Sequence, residues 1–104
     1  MKETNNIQKI VNVKDKELFN MLKGAKGGQT RMRILDAILA EPSNANQLSK
    51  KLNLDYKTIT YHLNIICTHN YATKENFEST TYYHPSDRLI KRLDEYKIIK
   101  EQLK

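Results

Sequence analysis

Residues 44–70, NANQLSKKLNLDYKTITYHLNIICTHN, constrain the fold more than any other part of the chain. Asn44 and Gln47 have the spacing of a capping box, so a short helix starts here and runs through Leu52. Ala45, Leu48 and Leu52 form its inward face. Asn53 and Leu54 make a tight turn, and Asp55 caps a second helix over about 56–69. On that second helix Ile59, Leu63 and Ile66 share one buried seam. Tyr56, His62 and Cys67 flank the seam. Lys57, Tyr61 and Asn64 lie on the far side, with Thr58 and Thr60 at its edges.

The flanking segments supply the rest of a small domain. Asp15 can cap a helix over 16–23, with Leu18, Phe19 and Leu22 on one face, and GAKGG at 24–28 stops it. Thr30 can cap the next helix, about 31–40, whose stripe is Met32, Leu35, Ile38 and Leu39 with Ile34 beside it. Residues 71–84 change period: Tyr71, Thr73, Phe77, Thr80, Thr81, Tyr82 and Tyr83 favour strands. A hairpin with strands near 71–75 and 79–84 is expected, with turn positions at Lys74-Glu75-Asn76 or Glu78-Ser79. Pro85 ends it, and a single last helix runs to about residue 103. The fold class is mainly α with a small β-hairpin. Residues 1–14, with Ile7, Ile10, Val11 and Val13, form an arm or short strand, and 15–104 form the domain.

Composition narrows the function classes. Eighteen basic residues against twelve acids leave a net charge of +6, which favours an anionic partner such as nucleic acid. No apolar run is long enough to span a membrane, and the start, MKETNNIQKIVNV, has no apolar core of signal-peptide type, so a cytoplasmic location is expected. Cys67 is the only cysteine, which excludes an internal disulfide and a cysteine-rich zinc site. His62, His69 and His84 show no compact ligand pattern, and GAKGG lacks the lysine and hydroxyl of a nucleotide-phosphate loop. No enzyme, metal or cofactor is expected.

Two short helices, a tight turn and a polar outer face suggest a helix-turn-helix. Lys57, Thr58, Thr60, Tyr61 and Asn64 then read base edges of double-stranded DNA in the major groove. Asparagine suits an adenine edge, threonine a base or the thymine methyl, and lysine a guanine or a phosphate. His62 is either a seam-edge or a DNA-facing residue, and His69 a helix-end residue. Asn46, Gln47, Lys50 and Lys51 on the first helix, and Lys74 on the hairpin, contact the backbone. The last helix carries more apolar surface than one side needs. Leu89, Leu93, Tyr96, Ile99 and Leu103, joined by Leu18, Phe19 and Leu22, are therefore expected to form a homodimer interface.

The stretch GGQTRMRILDAILAEPSNANQLSKKLNLDYKTITYHLNII, with TYY before a long helix, closely resembles winged helix-turn-helix regulators of the ArsR-like type, especially the compact archaeal ones. The likeness covers roughly residues 15–96. It implies a dimeric DNA-binding transcription regulator whose helix at 56–69 enters the major groove. The reading role then falls on Lys57, Thr58, Thr60 and Tyr61, with His62 as a further candidate. The hairpin is the wing and the outer helices the dimer interface. Metal-sensing members use a cysteine pair that this chain lacks. The wing tip KENFEST departs from the glycine-containing, basic tips of many members. The alternative is a winged-helix protein-interaction module with only weak, nonspecific DNA binding.

Overall fold

The computed structural model describes residues 13–24 and 27–103. Most of the expected arm therefore lies outside the described residues. Val13 is buried, and the backbone N–H groups of Lys14 and Asp15 both donate to Glu95 Oε1 at 3.0 and 2.9 Å.

Helix α1 spans Lys16–Lys23 and buries Leu18, Met21 and Leu22. Asp15 caps it: its Oδ1 accepts the Leu18 N–H at 3.1 Å. Helix α2 spans Gly28–Ala40, starting earlier than expected. Its cap residue is Gly27, which offers no side-chain bond, and Thr30 lies inside the first turn rather than at the cap. The reason is a close approach: a Cβ on Gly28 would lie 2.1 Å from the Leu22 carbonyl oxygen, so only glycine lets the helix start there. Met32, Ile34, Leu35, Ala37 and Ile38 of α2 are buried, and Leu39 is half-buried against them.

A two-residue strand that the sequence did not announce, β1 at Ser43–Asn44, follows. Helix α3 spans Ala45–Leu52 with the full capping box. Asn44 Oδ1 accepts from Gln47 N–H at 2.8 Å, and Gln47 Oε1 accepts from Asn44 N–H at 2.9 Å. Asn53 ends α3 in the left-handed conformation, φ 56°, which turns the chain into helix α4, Tyr56–Thr68. The expected seam holds: Ile59, Leu63 and Ile66 are each 0% exposed. At roughly 1.5–3 kcal/mol per buried side chain, this seam fixes the rotation of α4 more strongly than any polar contact on its outer face.

Strands β2, Ala72–Phe77, and β3, Thr80–Pro85, pair antiparallel, and β1 pairs with β3, so the sheet order is β1-β3-β2. The hairpin turns at Glu78-Ser79, both at positive φ (49° and 67°), as a mirror-image two-residue turn requires. Lys74-Glu75-Asn76 belongs to the strand. At the base of the hairpin Ser86 N–H donates to the Tyr71 carbonyl at 3.1 Å, and Ser86 Oγ donates to the Asn70 carbonyl at 2.7 Å. Ser86 Oγ also accepts the Leu89 N–H and so caps the next helix.

The last segment is two helices rather than one: α5, Asp87–Lys91, and α6, Leu93–Leu103. The backbone breaks at Arg92, whose N–H bonds to both the Arg88 and Leu89 carbonyls. After the break, α6 packs on α1. Tyr96, 1% exposed, donates its hydroxyl to Asp36 Oδ1 at 2.6 Å, and Lys100 Nζ pairs with the same carboxylate at 3.0 Å. Among the described residues no helix is long and apolar enough to cross a membrane.

Several residues of the expected dimer face are covered within the single chain. Leu18, Leu22, Leu89, Tyr96 and Ile99 are at most 1% exposed within a single chain, in which α1 packs on both α2 and α6. Phe19, Leu93 and Leu103 are half-buried, and Ile90, 51% exposed, stands outside them.

Candidate nucleic-acid interface

Helix α4 is held from beneath and open above. Its start is capped by Asp55, whose Oδ1 accepts the Thr58 N–H at 2.7 Å. That bond holds the carboxyl below its ordinary pKa, so the helix start carries a resident anion. On the outer face Lys57, Tyr61 and Asn64 are exposed, Tyr61 by 63%. Thr58 and Thr60 are half-buried, and Thr60 Oγ1 donates back to the Lys57 carbonyl at 3.1 Å, so its hydroxyl proton is engaged within the helix.

An open groove of about 470 Å³ is lined by Lys57, Thr60, Tyr61 and Asn64 of α4 together with Lys74 and Tyr83 of the hairpin. The structure thus joins four of the five expected base-reading residues to the one expected hairpin lysine. Thr58 does not line this groove. Asn46, Gln47, Lys50 and Lys51 of α3 are all on the helix that precedes the turn, and all four are exposed. Gln47 commits its carbonyl oxygen to the capping box, so only its amide N–H groups face outward.

His62 does not face outward. It is 7% exposed, and its Nδ1 lies 3.2 Å from Arg31 Nη1. A guanidinium only donates, so Nδ1 accepts and the imidazole is neutral. Burial and the Arg31 charge both hold its pKa below the ordinary value. Arg31 Nε also donates to the Met21 carbonyl at 2.8 Å, which ties the end of α1 to the underside of α4. Nothing in the sequence marks Arg31 for this role, because its partners lie 10 and 31 residues away.

A second brace holds the far end of α4. Buried Asp15 accepts the Tyr71 hydroxyl at 2.7 Å and the Arg88 guanidinium at 3.1 and 3.2 Å. Arg88 also donates to the His69 carbonyl at 2.8 Å and pairs with Glu17, and its plane lies 4.4 Å over the Tyr71 ring. His69, the C-cap of α4, contacts Glu17 through Nδ1. Burial pushes the Cys67 thiol above its ordinary pKa, as for a core thiol. Among the described residues no group of three or more His, Cys, Asp and Glu side chains is arranged to hold a metal.

The hairpin is mixed. Tyr71 just before it is fully buried and Tyr83 packs partly on the core, whereas Phe77 is 62% exposed near the tip. Glu75 and Glu78 leave Lys74 as the one basic residue of the hairpin apart from the imidazole of His84.

The comparisons agree with this geometry. Residues 28–74 match the family model described as "Bacterial regulatory protein, arsR family". No curated protein matches significantly. HlyU from Vibrio cholerae N16961 is similar in structure with a TM-score of 0.64 and 19% identity, over 85% of this chain and 94% of that one. A MarR transcriptional regulator from Methanosarcina mazei Go1 is similar with a TM-score of 0.66 and 18% identity, over 95% of this chain and 66% of that one. The homodimeric winged helix-turn-helix DNA-binding domain of Mb0332 from Mycobacterium bovis, a possible ArsR-family regulator, gives 0.63 and 13%, over 95% and 82%. The chain has the winged helix-turn-helix fold of ArsR- and MarR-type regulators.

Proposed function

We propose that the chain is a homodimeric, sequence-specific regulator of transcription that inserts α4 into the major groove of double-stranded DNA, in the cytoplasm. The observation that supports it is the groove shared by Lys57, Thr60, Tyr61, Asn64 and Lys74. An exposed helix face carrying amide, hydroxyl and ammonium groups suits base edges, and a lysine from a second element beside it suits the flanking phosphate. Thr58 supplies its hydroxyl at the helix edge. Lys50, Lys51, Asn46 and the Gln47 amide hold the duplex from α3, and Lys74 holds it from the wing.

Two copies pair through the outer surfaces that their own cores leave uncovered: Phe19, Ile90, Leu93 and Leu103. A twofold pair presents two copies of α4 to successive major grooves, about one helical turn apart. The homodimeric state named for the Mycobacterium bovis domain is consistent with this arrangement.

Selection from a random duplex library tests the proposal. The expected product is a short inverted repeat, bound more weakly as salt rises. A chain that binds all duplexes alike supports the protein-interaction module instead.

A further inference from the structure

A second groove opens beside the first, and we infer that it seats a backbone phosphate through uncharged donors, chiefly the hydroxyls of Tyr56 and Thr80. This rests on the DNA-binding reading above. The groove, about 380 Å³, runs between the start of α3 and the hairpin tip and is lined by Asn46, Tyr56, Ser79, Thr80, Thr81 and Tyr83, among others. Among the described residues none of its lining side chains is charged. Tyr83 borders both grooves, so the surface continues from the face of α4 to the wing.

Three observations favour a phosphate here. Tyr56 is 53% exposed although aromatic, sits at the first position of α4, and lines this groove. Burial pushes the Tyr83 phenol above its ordinary pKa, so it remains a protonated donor. Thr81 donates its own hydroxyl to Asn76 Oδ1 at 2.8 Å within the hairpin, which leaves Thr80 as the hairpin threonine available to a ligand. Hydroxyls and amides beside a reading helix suit phosphodiester oxygens, which fix register without reading sequence. Asp55, Glu75 and Glu78 flank the region in sequence and oppose a contact made by charge. Neutral donors avoid that conflict: they hold the phosphate and release no extra counterion.

The salt dependence of binding separates this seat from a lysine contact. A selected duplex is titrated at several salt concentrations with the wild type, the Tyr56→Phe/Thr80→Val double variant and Lys74→Ala. The double variant is expected to bind about tenfold more weakly, with an unchanged slope of log K against log salt. Lys74→Ala is expected to flatten that slope by about 0.9 for each phosphate left without its lysine. Thr80→Ser, which keeps the hydroxyl, retains the wild-type affinity of that position. Thermal melts followed by circular dichroism confirm that each variant is folded. A double variant that binds as the wild type does, or one that flattens the slope, overturns the seat and leaves the DNA-binding reading intact. A wild type that fails to discriminate the selected duplex from random DNA overturns both.

Discussion

Replacing Asp15 by alanine should destabilise the chain by about 2–4 kcal/mol at neutral pH. The loss of the α1 cap contributes about 1 kcal/mol. The buried Tyr71 hydroxyl loses its acceptor, which adds about 1–3 kcal/mol. Arg88 keeps Glu17 and the His69 carbonyl, so its partly exposed guanidinium is not stranded and adds little. For a chain near 100 residues the sum lowers the melting temperature by about 10–25 °C. The assay is urea unfolding at fixed protomer concentration, because the proposed dimer would make apparent stability concentration-dependent. Burial pushes the Asp15 carboxyl up, but the bonds from Tyr71, the Leu18 N–H and Arg88 outweigh it, and the net pKa lies below the ordinary 3.8. A carboxyl depressed on folding stabilises above its unfolded pKa and loses that contribution as pH falls through the folded one. The gap between wild type and variant is therefore full above about pH 5 and narrows in acid below about pH 4. In the alanine background Tyr71→Phe should cost almost nothing, since its hydroxyl is already orphaned. A loss of only about 1 kcal/mol, with Tyr71→Phe fully additive, would show that Asp15 is merely a cap.

Arg31→Met should cost about 1–3 kcal/mol in urea unfolding, because it strips the donor from His62 Nδ1 and the Met21 carbonyl, and should raise the His62 pKa in an NMR titration; an unmoved pKa refutes the pairing. Asn53→Ala, at φ 56°, should lose about 1 kcal/mol in a thermal melt while Asn53→Gly stays near neutral, and equal losses would refute a left-handed turn. Lys57→Ala with Tyr61→Ala should cut the affinity ratio of selected to random duplex by about tenfold or more; an unchanged ratio would discredit the reading face.

What could be read from the sequence was local. The Asn44–Gln47 capping box and the Ile59, Leu63, Ile66 seam depend on spacings of three and four residues, and both appear as expected. What escaped was set by distant partners. Strand β1 has two residues and exists because β3, far along the chain, pairs with it. Asp15 signals a cap, but nothing near it in sequence announces Tyr71 or Arg88. The apolar period runs unbroken through Leu89 and Leu93, so the break at Arg92 is invisible until α6 folds back on Asp36. With that break hidden, the sequence does not reveal that Leu18, Leu22, Leu89, Tyr96 and Ile99 are buried within the single chain. His62 shows the same limit, since a helical wheel locates it beside the seam without revealing Arg31 beneath it.

The hairpin leaves the body at Asn70–Tyr71 and returns at Ser86, and one serine fastens both ends. That clasps the base of the hairpin, while β1 and the half-buried Tyr83 hold its β3 side. The hairpin's length is decoupled from the packing below, because the closure cost of a longer loop rises only as the logarithm of its length, about 0.6 kcal/mol per doubling. Residues inserted at Glu78–Ser79 extend its reach along a duplex without disturbing Ile59, Leu63 or Ile66. A fold of this kind can change the footprint it covers by editing its tip alone, provided Ser86 keeps both of its anchors.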